Sequence, residues 1–463
     1  LISLSFAQLA RLLGGRLYEK PGAEPSFMGV SIDSRTLRER ELFFALRGEN
    51  HDGHDYIYQA LQKGAAGVVV ETSCPELDKI TGQAMVVTVA DSHEAMIKLA
   101  VDYRNKVRAR YLVVTGSNGK TTTKELIYYL LAAVTDGIYR SPGNLNNLYG
   151  LPLSIFSMPH DSKVAVMEIG ISVPGEMIRL ARIVRPDIIV ITNVGPTHLE
   201  TLGTVEGVAR AKLELVKEAA PDIPIIINGD DRVLFDETKK IRDDFITFGL
   251  ENDVAFKPDK IEQVDGGNRV TVDGLTFNLP LFGRYQVYNF MAAYAAVKTL
   301  GYAFDKMDTS AITFQTAPMR GQFVEINGVT FISDCYNANP ESVKGGLASF
   351  TAQNVKKRLV IILGDMLELG SQEEALHREI GSLLAEQPFD LAVLVGPLSK
   401  FYMDELLKAD IKREKIMHFV EAETGAAEML KIFEPGDLVY IKGSRGIGLE
   451  KIMDVWKERG GTA

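Results

Sequence analysis

Cysteine is almost missing from this chain: 463 residues contain two, Cys74 and Cys335. Two thiols cannot build a disulfide framework. They fit a reducing compartment, in which a buried free thiol is the expected state. Positive charge is also short, since 51 Lys and Arg against 61 Asp and Glu give a formal net charge of -10. That balance argues against a general nucleic-acid binder, which is usually basic. An anionic ligand remains compatible where basic side chains gather locally. No apolar run approaches the roughly 18 residues of a membrane helix. The opening stretch "LISLSFAQLARLLGG" lacks a basic segment leading into an apolar one. Its Leu4, Phe6, Leu9, Leu12 and Leu13 recur at near-helical spacing, which predicts an amphipathic helix rather than a signal peptide. The expectation is a soluble, cytoplasmic, monomeric protein with no nucleic-acid partner and no membrane span.

The length suggests about three domains, and the pattern divides accordingly at 1–108, 109–317 and 318–463. The first block has short apolar runs at 42–46, 66–70 and 84–89, with a helical stretch between them, which reads as a small mixed α/β domain. Its last helix ends in a basic stretch suited to a linker. The second block has fully apolar runs at "YLVVT", "KVAVMEI", "DIIVIT" and "IPIIIN", separated by helical segments. Strands buried on both faces of a parallel sheet look like this. Residues 254–282 alternate around "VDGGNRV" and predict an antiparallel appendage. The third block repeats the α/β rhythm with "VTFISD", "RLVIIL", "LAVLVG" and "DLVYIKG".

Between the strand "YLVVT" and a helix beginning "KTTTKE" lies "GSNGKT", residues 116–121. It is two residues shorter between its glycines than the G-x-x-x-x-G-K-[ST] phosphate loop. The context is still that of a nucleotide site. A helix N-terminus offers unpaired N–H groups to phosphate oxygens, and glycines let the backbone turn and approach closely. Gly116, Ser117, Asn118, Gly119, Lys120, Thr121 and Thr122 are therefore candidate ATP contacts, with Lys120 on the phosphates and the Thr121 hydroxyl placed for Mg²⁺.

In open α/β sheets ligands collect at the carboxyl ends of strands. Glu168 and His198 both sit at such ends, and a carboxylate with an imidazole can hold a divalent cation. Asn144 and Asn147, in "NLNN", add amides after a short strand-like run, although Asn in a loop is also ordinary turn chemistry. Lys212 lies in an unremarkable charged helix and by pattern alone reads as solvated surface. Arg35, Arg38, Arg40 and Arg47 concentrate basic charge in 31–54, where Ser34 and Arg35 follow a strand and suit a diphosphate. Asp334 and Asn337 stand at a strand end before a helix opened by Asn339-Pro340. "IKGSRGIG" has the wrong glycine spacing for a dinucleotide fingerprint, so NAD is rejected.

Taken together, "TGSNGKTTTKE", "MEIGIS", "TNVGPTHLE", the lysine of "AKLEL" and the "DSR" run resemble the ATP-dependent Mur ligases of peptidoglycan synthesis. The runs "GNLNNLYGLPLSI", "DCYNANPES" and "GDMLELG" are similar to the branch that joins D-Ala-D-Ala to UDP-MurNAc-tripeptide. The resemblance covers nearly the full length in order. It implies an N-terminal domain for the uridine nucleotide, a central P-loop ATPase domain with a mainly parallel sheet and a C-terminal Rossmann-like domain. By resemblance, Lys120, Glu168, His198 and Lys212 are catalytic, and Thr121, Glu168, His198 and Lys212 surround Mg²⁺, Lys212 as a carbamate. Asn289 would contact adenine, Arg320 and Asp334 would reach ATP from the third domain, and Ser34 with Arg35 would hold UDP. Asn144, Asn147 and Asn337 are expected to touch the substrates. Tyr285 and Gln286 depart from the family, which commonly has histidine near this position. Folylpolyglutamate synthase and a P-loop switch ATPase are the alternatives.

Overall fold

The computed structural model describes residues 2–23, 26–48, 51–304, 307–315, 317–353 and 357–459. Three α/β domains follow one another along the chain. The first is built on a five-stranded sheet in the order Arg16–Tyr18, Met85–Val89, Gly67–Glu71, Leu42–Phe44, Val30–Ser31, parallel except for Arg16–Tyr18. The predicted N-terminal helix is Phe6–Leu13. Ser5 and Gln8 close a capping box at its start and Gly14 ends it in the left-handed conformation.

The central domain carries six parallel strands in the order Ile246–Phe248, Ile225–Asn228, Ile188–Ile191, Arg110–Thr115, Val164–Glu168, Ile138–Arg140. Its four middle strands are the apolar runs of the sequence, buried because helices cover both faces. The appendage is a three-stranded antiparallel sheet, Lys260–Val264, Gly267–Val272 and Leu275–Leu279. The third domain has the order Gln322–Ile326, Val329–Ser333, Leu438–Lys442, Leu359–Gly364, Leu391–Val395, Ile416–Phe419, with only the first pair antiparallel.

The basic stretch expected to act as a linker does not do so. Helix Ser92–Lys106 packs against central-domain helices Gly150–Phe156 and Glu176–Val184, and one continuous apolar core joins the first two domains. Tyr103 donates to the Met158 carbonyl at 2.7 Å. Arg104 donates to the Val184 and Arg185 carbonyls at 2.8 and 2.6 Å, satisfying the open end of the second of those helices. Cation and carbonyls complement each other, so the charge serves packing.

Candidate functional site

Helix Lys120–Ala132 starts without a side-chain cap and has no acidic residue in its first turn. Helices Phe6–Leu13, Ser92–Lys106, Val205–Glu218 and Arg232–Lys239 all carry a side-chain cap. Its first N–H groups are thus left for a ligand, in the field of the helix dipole. The short loop before it is fixed from beneath. Gly116 has φ 147° and a Cβ there would stand 1.9 Å from Thr192 Oγ1. Gly119 has φ 82°, and its Cβ would meet Asn289 Oδ1 at 2.0 Å. Neither position admits a side chain. Lys120 Nζ donates to the Gly116 and Ser117 carbonyls at 2.8 and 3.2 Å. Desolvation lowers its pKa, partly offset by Glu168.

The loop faces a cavity of ≈380 Å³ between the central and third domains. Ser117 to Thr122, Asn144, Asn147, Glu168, His198 and Asn289 line it from the central domain. Arg320, Asp334 and Asn337 line it from the third. Residues spread over more than 200 positions therefore meet at the strand ends, where the sheet topology puts them. Gly116 supports the loop from below and is not part of the lining. Asn147 is half committed, because its carbonyl oxygen accepts from the Tyr149 and Gly150 N–H groups at 3.2 and 2.8 Å.

Glu168 is the most heavily supported side chain. Its Oε2 accepts from the Thr121 hydroxyl at 2.8 Å and pairs with Lys124 Nζ at 3.3 Å, while Oε1 accepts from Asn146 at 2.8 Å. Burial pushes its pKa up, but Lys124, Lys120 and these hydrogen bonds outweigh that and hold it below the ordinary value. Lys124, with a fully buried side chain, also donates to the Gly143 carbonyl at 2.9 Å. It ties the phosphate helix to the asparagine loop.

His198 adopts a left-handed backbone, φ 53°, and its Nδ1 stands 2.9 Å from Glu368 Oε2 of the third domain. Burial lowers its pKa, Glu368 partly offsets this, and neighbouring Lys120 adds to the lowering. Lys212 is not surface. It is 2% exposed, its side chain makes no hydrogen bond or ion pair among the described residues, and its pKa is lowered well below the usual value by burial and then by Lys120. The sequence pattern misplaced it, because one buried position on an amphipathic helix looks like any other lysine.

Among the described residues no three His, Cys, Asp or Glu side chains form a preformed metal cage. The donor set nevertheless fits Mg²⁺, which takes few carboxylates and completes its shell with phosphate oxygens and water. The Thr121 hydroxyl donates to Glu168, leaving its lone pairs free, and Oε1 of Glu168 accepts a single bond.

Ser34 and Arg35 lie elsewhere, in a ≈520 Å³ pocket of the first domain shared with Tyr56, Gln59 and central-domain Tyr149. Ser34 Oγ donates to Gln59 Oε1 at 2.7 Å, and Arg35 is paired with Asp33 at 2.8 Å with its side chain 80% exposed. Segment 144–149 bridges the two sites, since Asn144 and Asn147 line the central cavity and Tyr149 lines this pocket. Tyr149 stacks on His93 with ring centroids 4.2 Å apart.

Several site residues went unread in the sequence. Asn146 lies in "GNLNNLYGLPLSI" and Lys124 in "TGSNGKTTTKE", and Lys124 falls one helical turn after Lys120, a usable signal. Lys442 carried none, yet it is buried and pairs with Asp334 Oδ2 at 2.9 Å. Tyr285, one of the departures from the family pattern, donates to the same Asp334 oxygen at 3.2 Å. Gln286 donates to the Arg320 carbonyl at 3.1 Å and accepts from Asn289 at 2.8 Å.

An uncapped phosphate helix at the carboxyl end of a middle strand of a parallel sheet, closed over by a Rossmann-like third domain, defines a multidomain P-loop nucleotide-binding protein. Comparison with known proteins narrows this. The family models for the Mur ligase middle domain, the "Mur ligase, glutamate ligase domain" and the "Mur ligase family, catalytic domain" match residues 114–297, 319–445 and 26–105. UDP-N-acetylmuramoyl-tripeptide–D-alanyl-D-alanine ligase of Bacillus subtilis is 33% identical over 98% of both chains. The MurF crystal structure from Acinetobacter baumannii superposes with TM-score 0.86 at 26% identity, covering 99% of both chains. That of Thermotoga maritima MurF in complex with ADP gives 0.80 at 28% identity, covering 94% of this chain and 99% of that one. The chain belongs to the Mur ligase family.

Proposed function

We propose that this chain joins D-Ala-D-Ala to the terminal carboxylate of UDP-MurNAc-tripeptide at the expense of ATP. One observation carries the reading. A single cavity joins the uncapped phosphate helix to third-domain side chains, and segment 144–149 continues from it to the first-domain pocket. A substrate with a nucleotide at one end and a reacting carboxylate at the other suits that layout, and relatives bearing this name match the chain end to end. In this reading 1–108 takes the UDP end, 109–317 the ATP, and 318–463 closes the site. We place the activity in the cytoplasm and in a monomer, with the two buried free thiols in support of a reducing compartment.

A carboxylate has no good leaving group, so it first attacks the γ-phosphorus of ATP, releasing ADP and giving an acyl phosphate. The amine of D-Ala-D-Ala then adds to the acyl carbon, and phosphate departs with the C–O bond. Lys120 leaves the Gly116 and Ser117 carbonyls for phosphate oxygens, and the open N–H groups of its helix take others. Arg320 adds positive charge from the third domain, Asn289 braces the loop, and Asn144, Asn147 and Asn337 offer amides to the substrates. Thr121, Glu168 and His198 would hold Mg²⁺ together with the nucleotide, and the cation would supply neutralisation of charge on the transferring phosphoryl group. Lys212 would act as a carbamate: its free-base amine would add to CO₂ and release a proton, leaving an anion that would support the cation where an ammonium would repel it.

The test is release of inorganic phosphate from the complete mixture and with each substrate omitted in turn. Turnover indifferent to D-Ala-D-Ala and to UDP-MurNAc-tripeptide would sink the reading in favour of a switch ATPase. Turnover on a folate and glutamate instead would indicate a folylpolyglutamate synthase.

A further inference from the structure

Asn118, in the middle of the phosphate loop, is held on every side. Its N–H donates to Asn193 Oδ1 at 2.9 Å, and its carbonyl accepts from Thr192 Oγ1 and Asn193 Nδ2 at 2.5 and 3.1 Å. Its side chain alone leaves the domain. Asn118 Nδ2 donates to Asn339 Oδ1 at 3.3 Å, and Asn339 Nδ2 returns a bond to Asn118 Oδ1 at 2.6 Å. Asn339 is equally fixed on its own side, as the N-cap of helix Pro340–Thr351, with its Oδ1 accepting from the Ser342 N–H at 3.0 Å.

Capping explains only half of this asparagine. Ser and Asp cap a helix as well as Asn does, because capping needs an acceptor oxygen. The amide NH₂ has no capping use, and its partner is the phosphate loop. Other bonds join the same two domains, from Tyr285 to Asp334 and between His198 and Glu368. Those engage side chains around the cavity, whereas Asn118 belongs to the loop itself. Two rigidly anchored amides thus form a reciprocal pair at the seam, and the chain running back from Asn339 carries Asn337 and Asp334 into the cavity.

We infer that Asn339 is a positioning residue: seated on Asn118, it sets Asp334 and Asn337 of the third domain at working distance over the phosphate loop. The inference relies on the ligase reading for the reaction and on the amide pair alone for the geometry.

Asn339→Ser tests it, since serine keeps a capping oxygen but is too short to pair with Asn118. The expected result is an unchanged helix content in far-ultraviolet circular dichroism and a larger radius of gyration in small-angle scattering of the ligand-free protein. With it, kcat/KM for ATP falls about thirty-fold, the equivalent of two net hydrogen bonds. Calorimetric affinity for UDP-MurNAc-tripeptide stays at the wild-type value. Asn118→Ser should reproduce the scattering change, and the double variant should be no worse than either single one, because both remove the same interaction. Unchanged scattering and ATP kinetics in Asn339→Ser, or losses that multiply in the double variant, overturn the inference. Scattering needs no substrate, so an inactive wild-type protein would count against the ligase reading and leave this measurement standing.

Discussion

Replacing Lys124 by methionine removes the buried cation beside Glu168 while keeping most of the aliphatic volume. Both side chains are almost wholly buried, at 0% and 2% exposed. Breaking a buried ion pair from one side strands the other charge and costs about 3–5 kcal/mol. At roughly 2–4 °C per kcal/mol for a domain of this size, the central-domain transition should fall by about 10 °C in differential scanning calorimetry. The sign of the effect with pH follows from Glu168. In the wild type its pKa is held below the usual 4.5, so its contribution is fully present above that value and lost as pH falls through the folded pKa. In Lys124→Met the largest lowering influence is gone and the carboxyl moves up, so the variant's deficit should narrow as pH falls through the range in which Glu168 titrates. The double variant Lys124→Met/Glu168→Gln, which removes both charges, should recover most of the loss. A double variant no more stable than the single one, or a Lys124→Met midpoint within about 1 °C of wild type, would refute the ion-pair argument.

Gly119→Ala places a methyl against Asn289 Oδ1 in a left-handed backbone, and calorimetry should show ADP affinity reduced at least ten-fold. Under ¹³CO₂, nuclear magnetic resonance should report a carbamate signal that Lys212→Met abolishes; a wild-type spectrum without it refutes the carbamate. Arg35→Ala should raise KM for UDP-MurNAc-tripeptide about ten-fold through the loss of one charged contact, with KM for ATP unchanged. Equal effects on both substrates would remove the first-domain pocket from UDP recognition.

The sequence by itself determined the middle of each sheet. Runs such as "YLVVT" and "RLVIIL" are apolar on both faces because helices cover both, and that requirement is written residue by residue. It also determined the phosphate loop, since glycine, lysine and the helix start are local. Arg16–Tyr18, Ile246–Phe248, Gln322–Ile326 and Ile416–Phe419, which the apolar pattern does not announce, are all sheet edges. One side of an edge strand lacks a partner, its side chains are partly exposed, and the apolar signal fades. Only tertiary structure decided which polar residues left solvent. Lys124, Lys212 and Lys442 look like surface lysines in the sequence, and their burial depends on partners or neighbours far along the chain. The same holds for Asn118 and Asn339, 221 positions apart. Each has a local reason to be where it is, in a loop and at a helix start. Their pairing exists only because the third domain closes on the central one.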